Sequence, residues 1–438
     1  MTLRAKANPR TNPPMIGNFL HVSAVGVAML MISAFCAAQE LTALHIFSGQ
    51  ADGGNPAAPV VANHNGVLYG TTWYGGISSC NSGVGCGTVF EETPPATSGG
   101  QWKFSVIYEF IGGNDGCCNS STLALDPSGK LYGVTNGGLP NGSVFQLTPP
   151  KDPSGKWNFA NIYTFREQEG AFPWTPLLIG KGGAIYGAAP YGGLSGCGTY
   201  GCGTVVELVP PATEDDPWKE HTLHQFSGGA DGGTPSGPLV VGRDGSLYGT
   251  TFAGGIAPTS NCPNGCGVVF KLSPPSHPGV SWTETVIYTF HDHPDGAFPY
   301  SLVSGRDGVL YGLARCHGSE NAPNIFALSP PASGAGPWHK TVLYNFNASG
   351  YGPSYLILGA NGVLLGTIFG DIDLDAGLVF QLAPPAAPGG RWAYSTLVDF
   401  NHGGPSRNPN GVVPDKFGAL YGTLNGGDSD FGAVFKLE

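Results

Sequence analysis

The stretch Gly66-Val67-Leu68-Tyr69-Gly70 returns six more times, as Gly-x-(Leu/Ile)-(Tyr/Leu)-Gly, at Gly129–Gly133, Gly183–Gly187, Gly245–Gly249, Gly308–Gly312, Gly362–Gly366 and Gly418–Gly422. Successive closing glycines are 63, 54, 62, 63, 54 and 56 residues apart. A short motif returning at that period is one supersecondary unit copied along the chain, so the repeat decides the fold. Asn65-Gly66, Asp244-Gly245, Asp307-Gly308 and Asn361-Gly362 open their copies with residue pairs that tolerate the positive φ of a tight hairpin. An apolar run precedes each turn, as in Pro59-Val-Val-Ala62 and Pro238-Leu-Val-Val241. The motif is therefore the second strand of an antiparallel pair.

Outward from it, Gly87-Thr-Val-Phe90 and its counterparts at Ser143, Thr204, Val268, Asn324, Leu378 and Ala433 make a third strand. In six units it runs into a Pro-Pro pair, beginning at Pro94, Pro149, Pro210, Pro274, Pro330 and Pro384. Two missing ladder donors stop a strand. A fourth strand runs from tryptophan to phenylalanine eight residues on: Trp102 to Phe110, Trp157 to Phe165, Trp218 to Phe226, Trp282 to Phe290, Trp338 to Phe346 and Trp392 to Phe400. Even spacing puts both rings on one face, so these tryptophans pack one sheet on the next. Seven four-stranded antiparallel units predict an all-β, seven-bladed β-propeller. The last unit ends at Glu438 after its third strand, and Leu41–Phe47 reads as a fourth strand that precedes all others. The N-terminal strand 41–47 is thus expected to complete the last blade and close the ring. The alternative architecture is an open β-solenoid, which needs no such matching of ends.

Glycine and proline supply 71 and 38 of the 438 residues, and their fixed offsets make them turn residues rather than a mark of disorder. Residues 1–38 stand apart: Arg4, Lys6 and Arg10 precede an apolar run from Phe19 to Ala38 that ends in small residues. This is the pattern of a cleaved signal peptide, with an uncleaved membrane anchor as the alternative. Residues 39–438 then form one repeat domain, exported to the extracellular space, the cell surface or the periplasm, with no membrane span in the mature chain. The formal net charge of −11 becomes more negative once the three leader cations are removed. An acidic surface without basic clusters excludes nucleic acid as a partner and argues against anionic lipid. A monomer is expected.

Gly66-Val-Leu-Tyr-Gly-Thr-Thr72, Gly75-Gly76 and Gly87-Thr-Val-Phe90, like Gly245 to Thr251, Gly254-Gly255 and Gly267 to Phe270, resemble the GloVer-type tandem-repeat family of secreted bacterial proteins. The resemblance spans essentially the whole mature chain. It implies secretion and a repeat architecture, and no particular activity.

Binding residues usually sit on loops held by a rigid scaffold. In such blades, the connections between strands two and three and those leading to the next blade share one face. That face carries the irregular features. Cys80/Cys86, Cys197/Cys202 and Cys262/Cys266 recur at one place in units one, three and four, the second always just before the glycine of strand three. In an exported protein they read as three local disulfides, since isolated pairs fall short of the four ligands of a zinc site. Cys117-Cys118 reads as a vicinal disulfide or a dithiol, and Cys316 is left over. Asp371, Asp373 and Asp375 alternate as at the start of a calcium loop, with a solvated acidic loop as the alternative reading. Arg315 and His317, with Asp373, are the candidate acid–base groups, and surface histidines are the plainer reading. Trp73, Tyr74, Trp174, Tyr191, Phe252 and Tyr300 fall in or beside these loops, where flat rings suit stacking on sugars or gripping a peptide.

Three functions follow. The first is an exported binding or surface-interaction module for an extracellular glycan or protein ligand. The second is a glycan-acting hydrolase or lyase using the Arg315–His317 and Asp371–Asp375 loops; no cofactor is firmly implied for any reading, calcium at the Asp371–Asp375 loop being the one candidate. The third is a structural envelope protein.

Overall fold

The two glycines of the repeated motif answer different steric demands. The first lies at positive φ, 80° at Gly66 and 79° at Gly245 and Gly362, where a side chain is strained. The closing glycine sits mid-strand, opposite a third-strand phenylalanine: Gly70 faces Phe90, Gly133 Phe145, Gly249 Phe270 and Gly312 Phe326. The ring lies across the glycine, so a Cβ there would collide with it. In unit three Val206 faces Gly187 instead, and the nearest neighbour to a Cβ is Leu177 at 3.1 Å.

The computed structural model describes residues 40–438 apart from 78–79, 81–82, 98, 119–120, 153, 167–168, 172, 214–215, 278, 293–294, 316–322, 333, 335, 347–351, 371–375, 388, 403–406 and 427–429. The expected signal peptide, Cys316, His317 and the Asp371–Asp375 loop lie outside the described residues. Seven sheets of four antiparallel strands form the blades. Blade one is built from Val61–Ala62, Leu68–Thr71, Thr88–Thr93 and Lys103–Glu109, innermost to outermost. Its inner strand is shorter than the apolar run suggests.

Blade seven settles the architecture. Its first three strands are Arg407–Pro414, Leu420–Asn425 and Ala433–Leu437, and its outermost strand is Leu41–Ile46. Leu41 pairs with Leu437 and Ile46 with Ala433, and Glu40 and Glu438 exchange backbone hydrogen bonds of 3.0 and 3.1 Å. Across the seam, Asn410 Nδ2 donates to the Pro56 carbonyl at 2.6 Å and Thr423 Oγ1 to that of Ala58 at 2.8 Å. The chain is a closed propeller, and the open solenoid does not describe it.

The structural tryptophans find their partners in the opening motif. The motif tyrosine of one blade meets the outer-strand tryptophan of the next, at 5.5–6.2 Å between centroids: Tyr69 with Trp157, Tyr132 with Trp218, Tyr186 with Trp282, Tyr248 with Trp338, Tyr311 with Trp392 and Tyr421 with Trp102. Blade six carries Leu365 in place of the tyrosine, and the strand after it, the N-terminal one, begins without a tryptophan. Both halves of the contact are absent together. The recurring Asp-Gly turns between blades are tied to the outer strand that precedes them: Tyr108 donates to Asp115 at 2.9 Å and Tyr288 to Asp295 at 2.6 Å, and His45 Nε2 lies 3.1 Å from Asp52.

Candidate functional site

The loop face is stiffened at every level. Disulfides join Cys80 to Cys86, Cys197 to Cys202 and Cys262 to Cys266, with Cα–Cα separations of 5.5, 4.9 and 5.1 Å. Rings this small restrain the loop more than they stabilise the whole fold. The second cysteine of each pair also anchors the next blade through its carbonyl, which accepts from Cys118 N at 3.1 Å, Thr234 N at 2.7 Å and Phe298 N at 2.8 Å. Those three donors share positive φ, as do Asn55 and Asn408 at the same point of other connectors.

On this face blade three presents an aromatic cluster. Trp174 follows Pro173 on the way into the inner strand. The residues after the corresponding prolines of blades four and seven, Ser236 and Asn410, reach the next blade at the Pro299 carbonyl, in its inner strand, and at the Pro56 carbonyl, on the way into it. The position therefore lies at the inner rim of the ring. Trp174 is 48% exposed and meets Tyr191 edge-on at 5.5 Å, and Tyr191 meets Tyr200 at 5.6 Å. Tyr200 is 65% exposed. The backbone holds these rings in place: Ala171 N donates to Tyr191 O at 2.8 Å, Gly192 N donates to Tyr200 O at 2.6 Å, and the Cys197–Cys202 bond brackets the turn Gly198–Tyr200. Sequence reasoning found Trp174 and Tyr191 and missed Tyr200. The available signal was an aromatic residue enclosed between paired cysteines.

The other candidates separate. Trp73 and Tyr74 touch each other at 6.3 Å and are half-buried in blade one. Phe252 stacks at 4.4 Å on Phe298, a core residue of the next blade, so its ring serves packing. Tyr300 occupies the post-proline position of blade five. Its hydroxyl is buried, and Arg315 lies over its ring at 4.4 Å. Burial pushes the Tyr300 phenol well above its ordinary range, against the opposing pull of the guanidinium. Arg315 and Tyr300 are thus brought together, whereas His317, Asp371, Asp373 and Asp375 lie outside the described residues. Among the described residues no group of three or more His, Cys, Asp or Glu side chains is placed to hold a metal ion.

The opposite face carries a large concavity that sequence reasoning did not anticipate. An open groove of 1540 Å³ runs between blades seven and one, lined by His64, Pro94, Trp102, Phe417, Tyr421 and Lys436 among others. It forms where hairpin turns of the two blades flank the closing strand.

A family model described as the Gloeobacter/Verrucomicrobia repeat matches residues 31–200, 84–275, 141–380 and 259–438 in overlapping copies. Among solved structures the chain is similar to a gluconolactonase from Xanthomonas campestris, at 12% identity over 91% of this chain and 89% of that one, with a TM-score of 0.41. It is similar to a carbohydrate-active enzyme of family AA12 from Trichoderma reesei, at 12% identity over 92% and 96%, with a TM-score of 0.45. A luciferin-regenerating enzyme matches at 13% identity over 72% and 89%, with a TM-score of 0.43. At these identities the likeness concerns the fold alone. No curated protein matches the chain. Among the described residues no helix is long and apolar enough to cross a membrane.

Proposed function

From the premise that the chain belongs to the Gloeobacter/Verrucomicrobia repeat family, we propose that it is an exported binding module that holds a glycan against the Trp174–Tyr191–Tyr200 cluster. One observation carries this reading: two exposed rings, Trp174 and Tyr200, joined through Tyr191 by a T-shaped and a tilted contact, with Tyr200 on a loop pinned by a disulfide. An exposed aromatic face matches the C–H face of a pyranose ring, and the phenol groups of Tyr191 and Tyr200 supply donors and acceptors for its hydroxyls. Rings already fixed by backbone bonds lose little freedom on binding, so more of the contact energy becomes affinity.

The test is affinity electrophoresis of the protein against a panel of soluble plant and bacterial polysaccharides. Trp174→Ala and Tyr200→Ala are expected to weaken retention on a retarding glycan about tenfold or more, which corresponds to about 1.4 kcal/mol. Trp73→Ala, in blade one, leaves it unchanged. Equal retention of all variants contradicts the reading. Release of shortened sugars by the wild type would turn attention to Arg315 and Tyr300 and to a hydrolase or lyase.

A further inference from the structure

Four sulfurs share one buried cluster between blades one and two: the Cys80–Cys86 disulfide, Cys117 and, packed against it, Cys118. Cys117 and Cys118 stand in the connector where the others carry Gly54-Asn55, Gly233-Thr234 and Ala297-Phe298. The second residue of each pair has positive φ, 57° at Asn55, 61° at Cys118, 53° at Thr234 and 56° at Phe298. The backbone of Cys118 is therefore set by the repeat and not by its sulfur. Its N–H is held by the Cys86 carbonyl at 3.1 Å, and Cys117 exchanges backbone bonds of 2.9 and 3.2 Å with Gly137. On this fixed frame the two Sγ atoms lie 2.9 Å apart, with the Cys118 thiol donating to Cys117. A disulfide requires about 2.05 Å, so closing one asks the sulfurs to approach by only about 1 Å.

We propose that Cys117 and Cys118 are a redox-active pair that closes to a vicinal disulfide on meeting a low-molecular-weight disulfide. Cys117, which accepts the Cys118 S–H and is held below the ordinary thiol range by that bond, attacks one sulfur of the small disulfide as its thiolate. The S–S bond of the reagent breaks and its other sulfur leaves as a thiolate. Cys118, beside it, gives its proton to the departing thiolate, then attacks Cys117 Sγ and expels the second reagent sulfur. The two cysteine sulfurs are oxidised by two electrons, the small disulfide is reduced to two thiols, and the two cysteine protons pass to those thiols. The product is a fourth covalent staple on the loop face, placed in a connector between blades where the other three lie within single loops.

The test treats the folded, purified protein with oxidised glutathione, followed by alkylation, intact mass measurement and peptide mapping of residues 117–118. The expected result is a loss of two hydrogens, loss of both alkylation sites at 117 and 118, and an unchanged Cys80–Cys86 bond. Cys118→Asn places there the residue that Asn55 and Asn408 already supply at the same φ, so it keeps the fold. It is expected to lose the two-hydrogen change altogether. Continued alkylation of both wild-type cysteines overturns the proposal. So does a glutathione adduct that persists on Cys117 or Cys118 of the wild type, or a bond from either cysteine to Cys80 or Cys86.

Discussion

Glu92→Leu is expected to raise the stability of the ring by about 3 kcal/mol at pH 8 and by much less at pH 4.5. Glu92 lies in the third strand of blade one, opposite Leu68 and Phe104. The same register position is leucine in the other blades: Leu147, Leu208, Leu272, Leu328, Leu382 and Leu437. Glu92 is 0% exposed, and neither carboxyl oxygen has a hydrogen-bond partner. Burial alone pushes its carboxyl up from 4.5 to about 7. The sign follows from which state gives up the proton first. As pH rises from 4.5 to 7 the unfolded chain releases it while the folded chain keeps it, so stability falls through that window. The full cost is present above pH 7. A shift of roughly 2.5 units at about 1.4 kcal/mol each gives the magnitude. Thermal unfolding at pH 4.5 and pH 8 checks it: the wild type should lose stability between the two and the leucine variant should lose that part of the slope. Parallel curves for both proteins would contradict it.

Asp295→Ala is expected to cost about 3 kcal/mol, the lower end of the range for stripping one partner from a buried ion pair, because the carboxylate itself is only part-buried. Phe104, Phe159 and Tyr394 share one outer-strand position, and their rings stack on the preceding blade, on His45, Tyr108 and Tyr344 at 3.7, 4.5 and 4.6 Å. Blade five places Lys340 there. Its side chain is 5% exposed, its ammonium lies 2.8 Å from Asp295, and it stands over the rings of Phe290 and Tyr288 at 4.8 and 5.6 Å. Without the Asp295 carboxylate the ammonium keeps its ring contacts and its bond to the backbone carbonyl of residue 295 but loses this carboxylate, and the Tyr288 hydroxyl loses its acceptor. Adding Lys340→Tyr to the alanine variant should restore most of the loss, since Tyr344 and Tyr394 already show that stack. Urea unfolding measures both. A single variant within about 1 kcal/mol of wild type, or a double variant no better than the single, is the contrary outcome.

The repeat made the architecture legible because its signals are local. A glycine at positive φ, a Pro-Pro stop and a tryptophan eight residues from a phenylalanine each report on a few neighbouring residues. Ring closure could be read because Leu41–Phe47 supplied the one strand that the last unit lacked. Contacts between blades were not legible in the same way. Tyr69 and Trp157 belong to different units, and nothing within either unit names its partner until the sheets are stacked. For the same reason Phe252 reads as an exposed aromatic until Phe298 of the next blade is laid on it. Tyr200 was hidden by its surroundings, a glycine-rich disulfide loop in which the cysteines are the more conspicuous signal. The groove at the seam arises from two blades facing each other and has no motif of its own. Glu92 and Lys340 were legible only as departures, once the register showed which leucines and aromatic rings they replace.

The most direct measurement is hydrogen–deuterium exchange of the protein with and without a glycan that it retains. Protection is expected over Pro190–Cys202 and around Trp174 on the loop face. Protection confined to Asp415–Tyr421 and Pro94–Trp102, beside the seam groove on the opposite face, would contradict the assignment of the binding site to blade three.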